Sequence, residues 1–361
     1  MRAAVLREQP GQLSIEDISH DKPGPHEVVV RTAAAGLCHS DLHYMEALYP
    51  HPLPAVLGHE SAGVIEAVGD QVSYVKPGDH VITCPSVYCG GCEYCLTGRL
   101  ALCNNKGAVT RPKGAPPRLS KGDEKMAQFA LLSSFAERLL VHENAVVKIR
   151  EDMPLDRAAL IGCGVTTGVG AVLNTAKVEP GSTVAVIGCG GIGLSAVQGA
   201  LLAGAARIIA IDMVPSKLEV ARSFGATDVV NPADGDPIGQ VRELTGGGVH
   251  YAFEAIGLKV AAEQAWKMLR PGGTAVVIGM IPVGQKVEIH GPELLSEKRL
   301  MGSSMGSNRF RVDMPRYIEF YLQGRLKLDE MVSARITLDE INEGFEAMKG
   351  GGVNRSVIVF E

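Results

Sequence analysis

With 361 residues, 46% of them hydrophobic, and a net charge of −5, the chain is long enough for about two domains with substantial cores. The mild acidity gives no reason to expect nucleic-acid or anionic-membrane binding. Met1-Arg2-Ala3-Ala4-Val5-Leu6-Arg7-Glu8 lacks the apolar stretch of a signal peptide, and outside a glycine-broken segment at 184–212 no uncharged apolar run of 18 residues stands out. The expectation is a cytoplasmic protein with no membrane partner, whose eight cysteines serve as thiolates rather than disulfides.

Residues 1–6 and 28–31 pattern as short antiparallel strands, separated by the breaker-rich 21–25. Gly36-Leu37-Cys38-His39-Ser40-Asp41-Leu42-His43 then gathers metal-competent and polar groups, and His59 follows 21 positions after Cys38. Either ligand type alone is more often a packed core residue; together they read as two ligands of one zinc. Cys89, Cys92, Cys95 and Cys103 form C-x2-C-x2-C-x7-C in a glycine-rich lobe, the pattern of a closed tetrahedral zinc that clips a loop too small to bury a core. An iron–sulfur cluster or reactive thiols are the alternatives, but the long last spacing and the absence of a following proline depart from the bacterial ferredoxin run.

Residues 106–125 read as a long surface loop, its basic residues forming a solvated face or shaping a substrate entrance. Strand patterning returns at 135–140 and 145–149. A helix starts at 154–160 and runs into a glycine-rich bend, where Cys163 either completes the metal site across a domain cleft or is a buried core thiol.

The segment 184–212 carries the most specific backbone signal. A β-branched strand at 184–187 leads into Gly188, Gly190, Gly191 and Gly193, spaced G-x-G-x-x-G, then a helix at 194–202, a C-cap near Gly204, and a strand at 207–211 closed by Asp212. Gly188 permits the tight turn, Gly190 the close approach of a pyrophosphate, and Gly193 close helix–strand packing. The helix N-terminus then faces the phosphates. In a chain with 43 glycines the bare pattern could be a loop; the flanking strands and terminal acid make it a dinucleotide site. Asp212 stands where a carboxylate accepts the adenosine ribose hydroxyls and repels a 2′-phosphate, so NAD is expected over NADP.

Beyond it, helices at 216–224, 237–244 and 260–269 alternate with strands at 228–230, 251–255 and 274–278, giving about six parallel strands if one more follows near residue 300. Helices at 315–323 and 338–348 precede a last strand at 356–360 that could return to the first domain.

Taken together, these motifs resemble the zinc-dependent medium-chain alcohol dehydrogenase family over essentially the whole chain. Gly58-His59-Glu60-x2-Gly63-x5-Gly69-x2-Val72 matches its zinc signature, and Gly78-Asp79-x-Val81, the four-cysteine lobe, Gly162-Cys163-Gly164 and the glycine loop follow in family order. The resemblance implies an α/β protein: a β-rich GroES-like catalytic domain from 1–164 and 303–361, with a structural zinc lobe at about 86–106, and a Rossmann-type doubly wound parallel sheet at 165–302 that binds NAD. It implies Cys38, His59 and Cys163 as ligands of a catalytic zinc with one position left open, and a second, structural zinc on the four cysteines. By the same resemblance Asp41 orients the ligand histidine and Glu60 lies beside the metal. Ser40 bonds the alcohol and His43 is the outer base of a proton relay; an ordinary polar turn is the alternative for this pair. His39 and Arg355 match pyrophosphate contacts, Lys217 an adenosine-ribose contact, and Thr167, Ile192 and Ile278 positions around the nicotinamide. Cys84 and Cys189 match no ligand position and read as packed thiols.

The implied activity is reversible oxidation of a primary aliphatic or aromatic alcohol to an aldehyde, in a homodimer or homotetramer. The stretch 174–181 resembles the family's glutathione branch, and 322–326 resembles actinobacterial-type relatives. However, Tyr49 stands where the glutathione branch carries an acidic substrate contact and Gly107 where it carries an arginine. Alcohol oxidation therefore comes first and turnover of an S-hydroxymethyl or S-nitroso thiol second. A non-enzymatic zinc or thiol redox sensor is the remote third reading, since a sensor needs only the local quartet and not the distant Cys38, His59 and Cys163.

Overall fold

The long strand Glu27–Gly36 is buried at eight of its ten positions, and much of the first unit is built outward from it. A computed structural model describes residues 1–351 and 355–361. It divides the chain into two compact units, Met1–Cys163 with Arg309–Glu361, and Gly164–Asn308. In the first unit, Glu27–Gly36 pairs antiparallel with Ser61–Val68, Arg138–His142 and the closing strand Arg355–Val359. The chain's end is thereby fixed beside Gly36. Val332–Ile336 joins the same sheet, parallel to the closing strand; its charged, half-exposed sequence carries little strand signal. A smaller sheet orders Leu13–Asp17, Arg2–Leu6, Ala55–Val56, Glu124–Gln128, Leu119–Lys121 and Ser19–His20.

The expected loop at 106–125 is corrected here. Its second half is a hairpin, Leu119–Lys121 against Glu124–Gln128, turning through Gly122 at φ +57. Nor are all its basic residues solvated. Arg118 is buried and donates from Nε to Glu27 Oε1 at 2.7 Å, while Arg111 bonds Glu27 and Asp21. Their partners lie some 90 positions back in the chain, where no local pattern reveals them.

Strands of the second unit run, in spatial order, Asp228–Val230, Arg207–Ile211, Thr183–Ile187, Val249–Glu254, Leu269–Val277 and Arg299–Gly302. All five pairings are parallel, so the doubly wound sheet of six strands is present and the chain order reverses between Thr183–Ile187 and Val249–Glu254. Val184, Ala185, Val186 and Ile187 are buried, as a strand covered on both faces requires.

Several boundaries shift for identifiable reasons. The helix after the glycine turn starts at Gly191, three residues before the apolar run begins, because its first turn carries glycine. The helix expected from Pro315 is Phe310–Leu322 with Pro315 inside it, proline having been read as a start signal. One helical run, Leu155–Ala176, corrects the expectation that no uncharged apolar run of 18 residues stands outside the glycine-broken segment. It spans 22 residues, and its most apolar 18-residue window has mean hydropathy 1.4 and is 83% buried inside the protein.

Candidate active site

Cys38, His59 and Cys163 come from three separate elements of the first unit. Cys38 immediately precedes the short helix His39–Met45. His59 follows Gly58, whose φ of +88 and tight fit, with a Cβ there only 2.7 Å from Phe135, leave no room for another residue. Cys163 lies not in an irregular bend but in a π-helical stretch, Ile161–Val165, a wide turn often found at functional positions. The ligand atoms of these three buried residues all lie within 4.8 Å of one another. All three belong to the first compact unit, so the donor set is complete there rather than shared across a cleft. Two sulfurs and one imidazole, converging in a buried place, fit a zinc ion with an open fourth position.

The surroundings prepare the donors. Asp41 is wholly buried; its Oδ1 accepts from the Gly58 amide at 3.0 Å and lies 3.1 Å from His59 Nδ1. That contact places the imidazole proton on Nδ1 and leaves Nε2 for a metal. Burial works against a charged His59, yet the nearby Asp41 and Cys38 hold it well above the usual histidine range. Burial pushes the Asp41 carboxyl up despite His59. Cys38 is lowered well below the ordinary thiol range by a hydrogen bond with Cys163 and by the charges of His59 and Arg355. Glu60 and Arg355 form a buried ion pair, Arg355 Nη2 to Glu60 Oε1, packed against Gly36. Arg355, expected as a pyrophosphate contact, is here the partner of Glu60, with its Nε buried and bonded to no other group among the described residues.

The second donor cluster is local. Cys89, Cys92, Cys95 and Cys103 also hold their sulfurs within 4.8 Å of one another. Amides of Gly91 and Cys92 donate to Cys89 Sγ at 3.4 and 3.3 Å, and the Cys89 amide to Cys103 Sγ at 3.4 Å, bonds that favour thiolates. From Cys89 to Cys103 only Cys103 is buried, so the lobe has no apolar core and four thiolates around a metal are what can hold it. All eight cysteines are free thiols. Burial drives Cys84 and Cys189, the two outside these clusters, up to about 12.

Ser40 lies 3.7 Å from Cys38 Sγ. His43 is half-buried, its ring stacked on Tyr49 at 6.2 Å, with Nδ1 buried and unbonded among the described residues. Tyr44, Tyr49, His51 and Phe129 pack beside it, and the Phe129 ring sits 5.5 Å from that of His59. This aromatic group was invisible to motif reading. The next residues, Ala130 and Leu131, take φ of 52 and 60, a strained geometry held by the surrounding fold.

In the second unit, Gly188 has φ +97 and a Cβ there would come 2.6 Å from Ile256. A Cβ on Gly193 would run into the Gly188 carbonyl, whereas Gly190 faces open space. That is the cradle a pyrophosphate needs, at the start of the 12-residue helix Gly191–Leu202. Asp212 accepts from the Cys189 amide at 2.8 Å and the Val214 amide at 2.9 Å, so it pins the glycine turn while keeping lone pairs for a ribose. Ile192 and Lys217 are half-buried and Ile278 is buried; Thr167 Oγ1 donates to Met305 Sδ at 3.5 Å. His39 is exposed on the first unit.

Comparison with known proteins agrees with this geometry. Residues 24–151 match the alcohol dehydrogenase GroES-like domain and 191–323 the zinc-binding dehydrogenase domain. An alcohol dehydrogenase class-3 of Oryza sativa subsp. japonica is 40% identical over 365 residues, 99% of this chain and 96% of the relative. The chain belongs to the zinc-dependent medium-chain alcohol dehydrogenase family. Within that family, the structure of an alcohol dehydrogenase zinc-binding domain protein from Burkholderia ambifaria superposes with a TM-score of 0.95 at 37% identity, covering 100% of this chain and 98% of the other. A benzyl alcohol dehydrogenase from Acinetobacter calcoaceticus gives 0.94 at 34%, covering 100% and 99%. The fold is thus the GroES-like domain with a Rossmann-type domain, and the enzyme class is NAD-dependent zinc alcohol dehydrogenase, with zinc and NAD as cofactors.

Proposed function

We propose that this enzyme oxidises primary alcohols, aromatic ones foremost, with Cys38, His59 and Cys163 as ligands of the catalytic zinc. The convergence of those three buried donors, with Asp41 behind His59, carries the reading. When bound, zinc supplies a Lewis acid and NAD the hydride acceptor. The chain does the rest. Asp41 fixes the His59 tautomer, and the Glu60–Arg355 pair sets a balanced charge beside two thiolates. Ser40 Oγ accepts the alcohol proton while its own hydroxyl proton passes on toward His43, which releases it outward. Cys89, Cys92, Cys95 and Cys103 hold the structural zinc.

The aromatic group around His43 supports an aromatic substrate: Tyr44 and Tyr49 are half-buried, Phe129 is buried against Tyr44, and none of the three brings a charge. The structural likeness to a benzyl alcohol dehydrogenase favours the same choice. Turnover of a thiol adduct is the second reading, drawn from the sequence likeness at 174–181. Tyr49 is stacked on His43 and packs at a tilt against Tyr44, and among the described residues Gly107 has only Asn105 near its Cβ position, so neither position supplies the charge an anionic thiol conjugate would meet. A panel of benzylic alcohols, aliphatic alcohols and thiol–formaldehyde adducts, read as NADH formation, separates the two. A kcat/KM for the adducts exceeding that for every simple alcohol would overturn the first.

The assembly we propose is a homodimer through the edge strand Arg299–Gly302, exposed at all four positions and flanked by exposed Leu294 and Leu295. Such an edge pairs with its own copy across a two-fold axis. Light scattering of the wild type and of Leu300→Lys tests this; a dimer undisturbed by the charge would rule out this edge.

A further inference from the structure

Glu254 ends the strand Val249–Glu254, at the point where the chain order of the parallel sheet reverses. Its side chain is wholly buried, and it forms no ion pair among the described residues. Oε1 accepts from the amides of Ile256, Gly257 and Leu258 at 2.8, 2.6 and 3.4 Å, and Oε2 from the amide of Gly279 at 3.2 Å. One carboxylate therefore closes two loops, that following its own strand and that following Leu269–Val277.

Apolar burial does not hold these loops. Ile256, Leu258 and Met280 are all exposed, at 46%, 48% and 36%. Their closeness comes from glycine, since a Cβ on Gly279 would strike the Gly257 amide. They also touch the glycine turn: the Ala255 amide donates to Ile187 O at 2.9 Å, and Ile256 Cγ1 would lie 2.6 Å from a Cβ on Gly188. Burying a carboxylate is costly unless hydrogen bonds compensate it, and here four backbone amides donate to it, three to Oε1 and one to Oε2. An acceptor-only group is required, because a glutamine could keep one loop with its carbonyl but would turn an NH2 toward the amide of the other.

We propose that Glu254 is a positioning residue for NAD: it holds loops 255–258 and 279–280 as one preformed wall of the dinucleotide crevice, opposite the glycine turn. The inference rests on the NAD-dependent class. A loosened wall must be ordered at the moment of binding, so the loss falls on cofactor affinity rather than on alcohol affinity or on turnover of the saturated enzyme.

The test uses the zinc-loaded enzyme. Glu254→Gln is expected to raise the KM and Kd for NAD about tenfold, as loss of a charge-assisted hydrogen bond does. KM for the alcohol, and kcat at saturating NAD, stay within about twofold, and amides of 255–258 and 279–280 exchange faster. Glu254→Asp, which keeps the charge on a shorter stem, recovers part of the affinity. Ile256→Ala alters an exposed side chain of the same wall, keeps the fold, and raises the KM for NAD about threefold. An NAD constant unchanged in both Glu254→Gln and Ile256→Ala overturns the proposal. So does a Glu254→Gln variant in which kcat, both KM values and thermal stability decline together. Failure of the wild type to bind NAD would instead sink the class reading on which the proposal rests.

Discussion

Asp41 Oδ1 serves the Gly58 amide at 3.0 Å and the His59 ring at 3.1 Å together, so a single atom sets both the backbone before His59 and the direction of its imidazole. Asp41→Asn retains an acceptor but can present its amide to His59. The expected result is a loss of 10–100-fold in catalytic-zinc affinity or in kcat, with the quartet's zinc retained. Competition with a graded chelator, followed by metal analysis, measures it; two zincs lost in parallel would argue against a local role.

The four-cysteine lobe should depend on its metal far more than its neighbours do. Cys103→Ser is expected to raise hydrogen exchange of residues 89–103 by about tenfold or more, while the sheet around Glu27–Gly36 keeps its protection. Peptide-resolved exchange mass spectrometry gives the answer directly.

Glu27 gives a pH dependence. Burial would push its carboxyl up, but Arg111, the Gly24 amide and Arg118 bring it from the ordinary 4.5 down to about 2. A lowered folded value means stabilisation that is complete above the ordinary value and is lost as pH falls from about 4.5 through about 2. Glu27→Gln should cost about 3 kcal/mol at neutral pH and flatten this acid limb. Unfolding midpoints in denaturant from pH 7 to pH 3 show whether the difference between variant and wild type narrows as predicted.

Asp212 has two tasks, and a substitution should reveal both. Asp212→Gly removes the charge that repels a 2′-phosphate and the acceptors that pin Cys189 and Val214. The kcat/KM ratio of NADP to NAD should rise at least about tenfold, and the KM for NAD should rise with it. Initial rates with both cofactors suffice, and an unchanged ratio would remove the ribose role.

How far the sequence reveals such features depends on how far apart their partners lie. The glycine turn was readable because strand, turn, helix and acid follow one another within 29 residues, each with its own local chemistry. The quartet was readable for the same reason. Cys163 drew attention through flanking glycines, but the π-turn that aims it has no residue signature. Arg118 looked solvated because Glu27 is 91 residues away, and the hairpin beside it is made of three- and five-residue strands rich in Lys and Glu. Glu254 was missed for a different cause: its partners are backbone amides, which every residue possesses. Phe129 reached His59 through a fold that brings position 129 to position 59, with no motif to announce it.

The π-helical stretch Ile161–Val165 makes chain length itself a constraint. A regular α-helix advances about 100° per residue, so deleting one residue here, and letting the helix regularise, would swing Cys163 by roughly that angle away from Cys38 and His59. Point substitutions at Ile161 or Val165 would alter packing by degrees. A single in-frame codon loss would disconnect a donor outright, and descendants of this gene should therefore tolerate spelling changes in the segment far better than changes in its length.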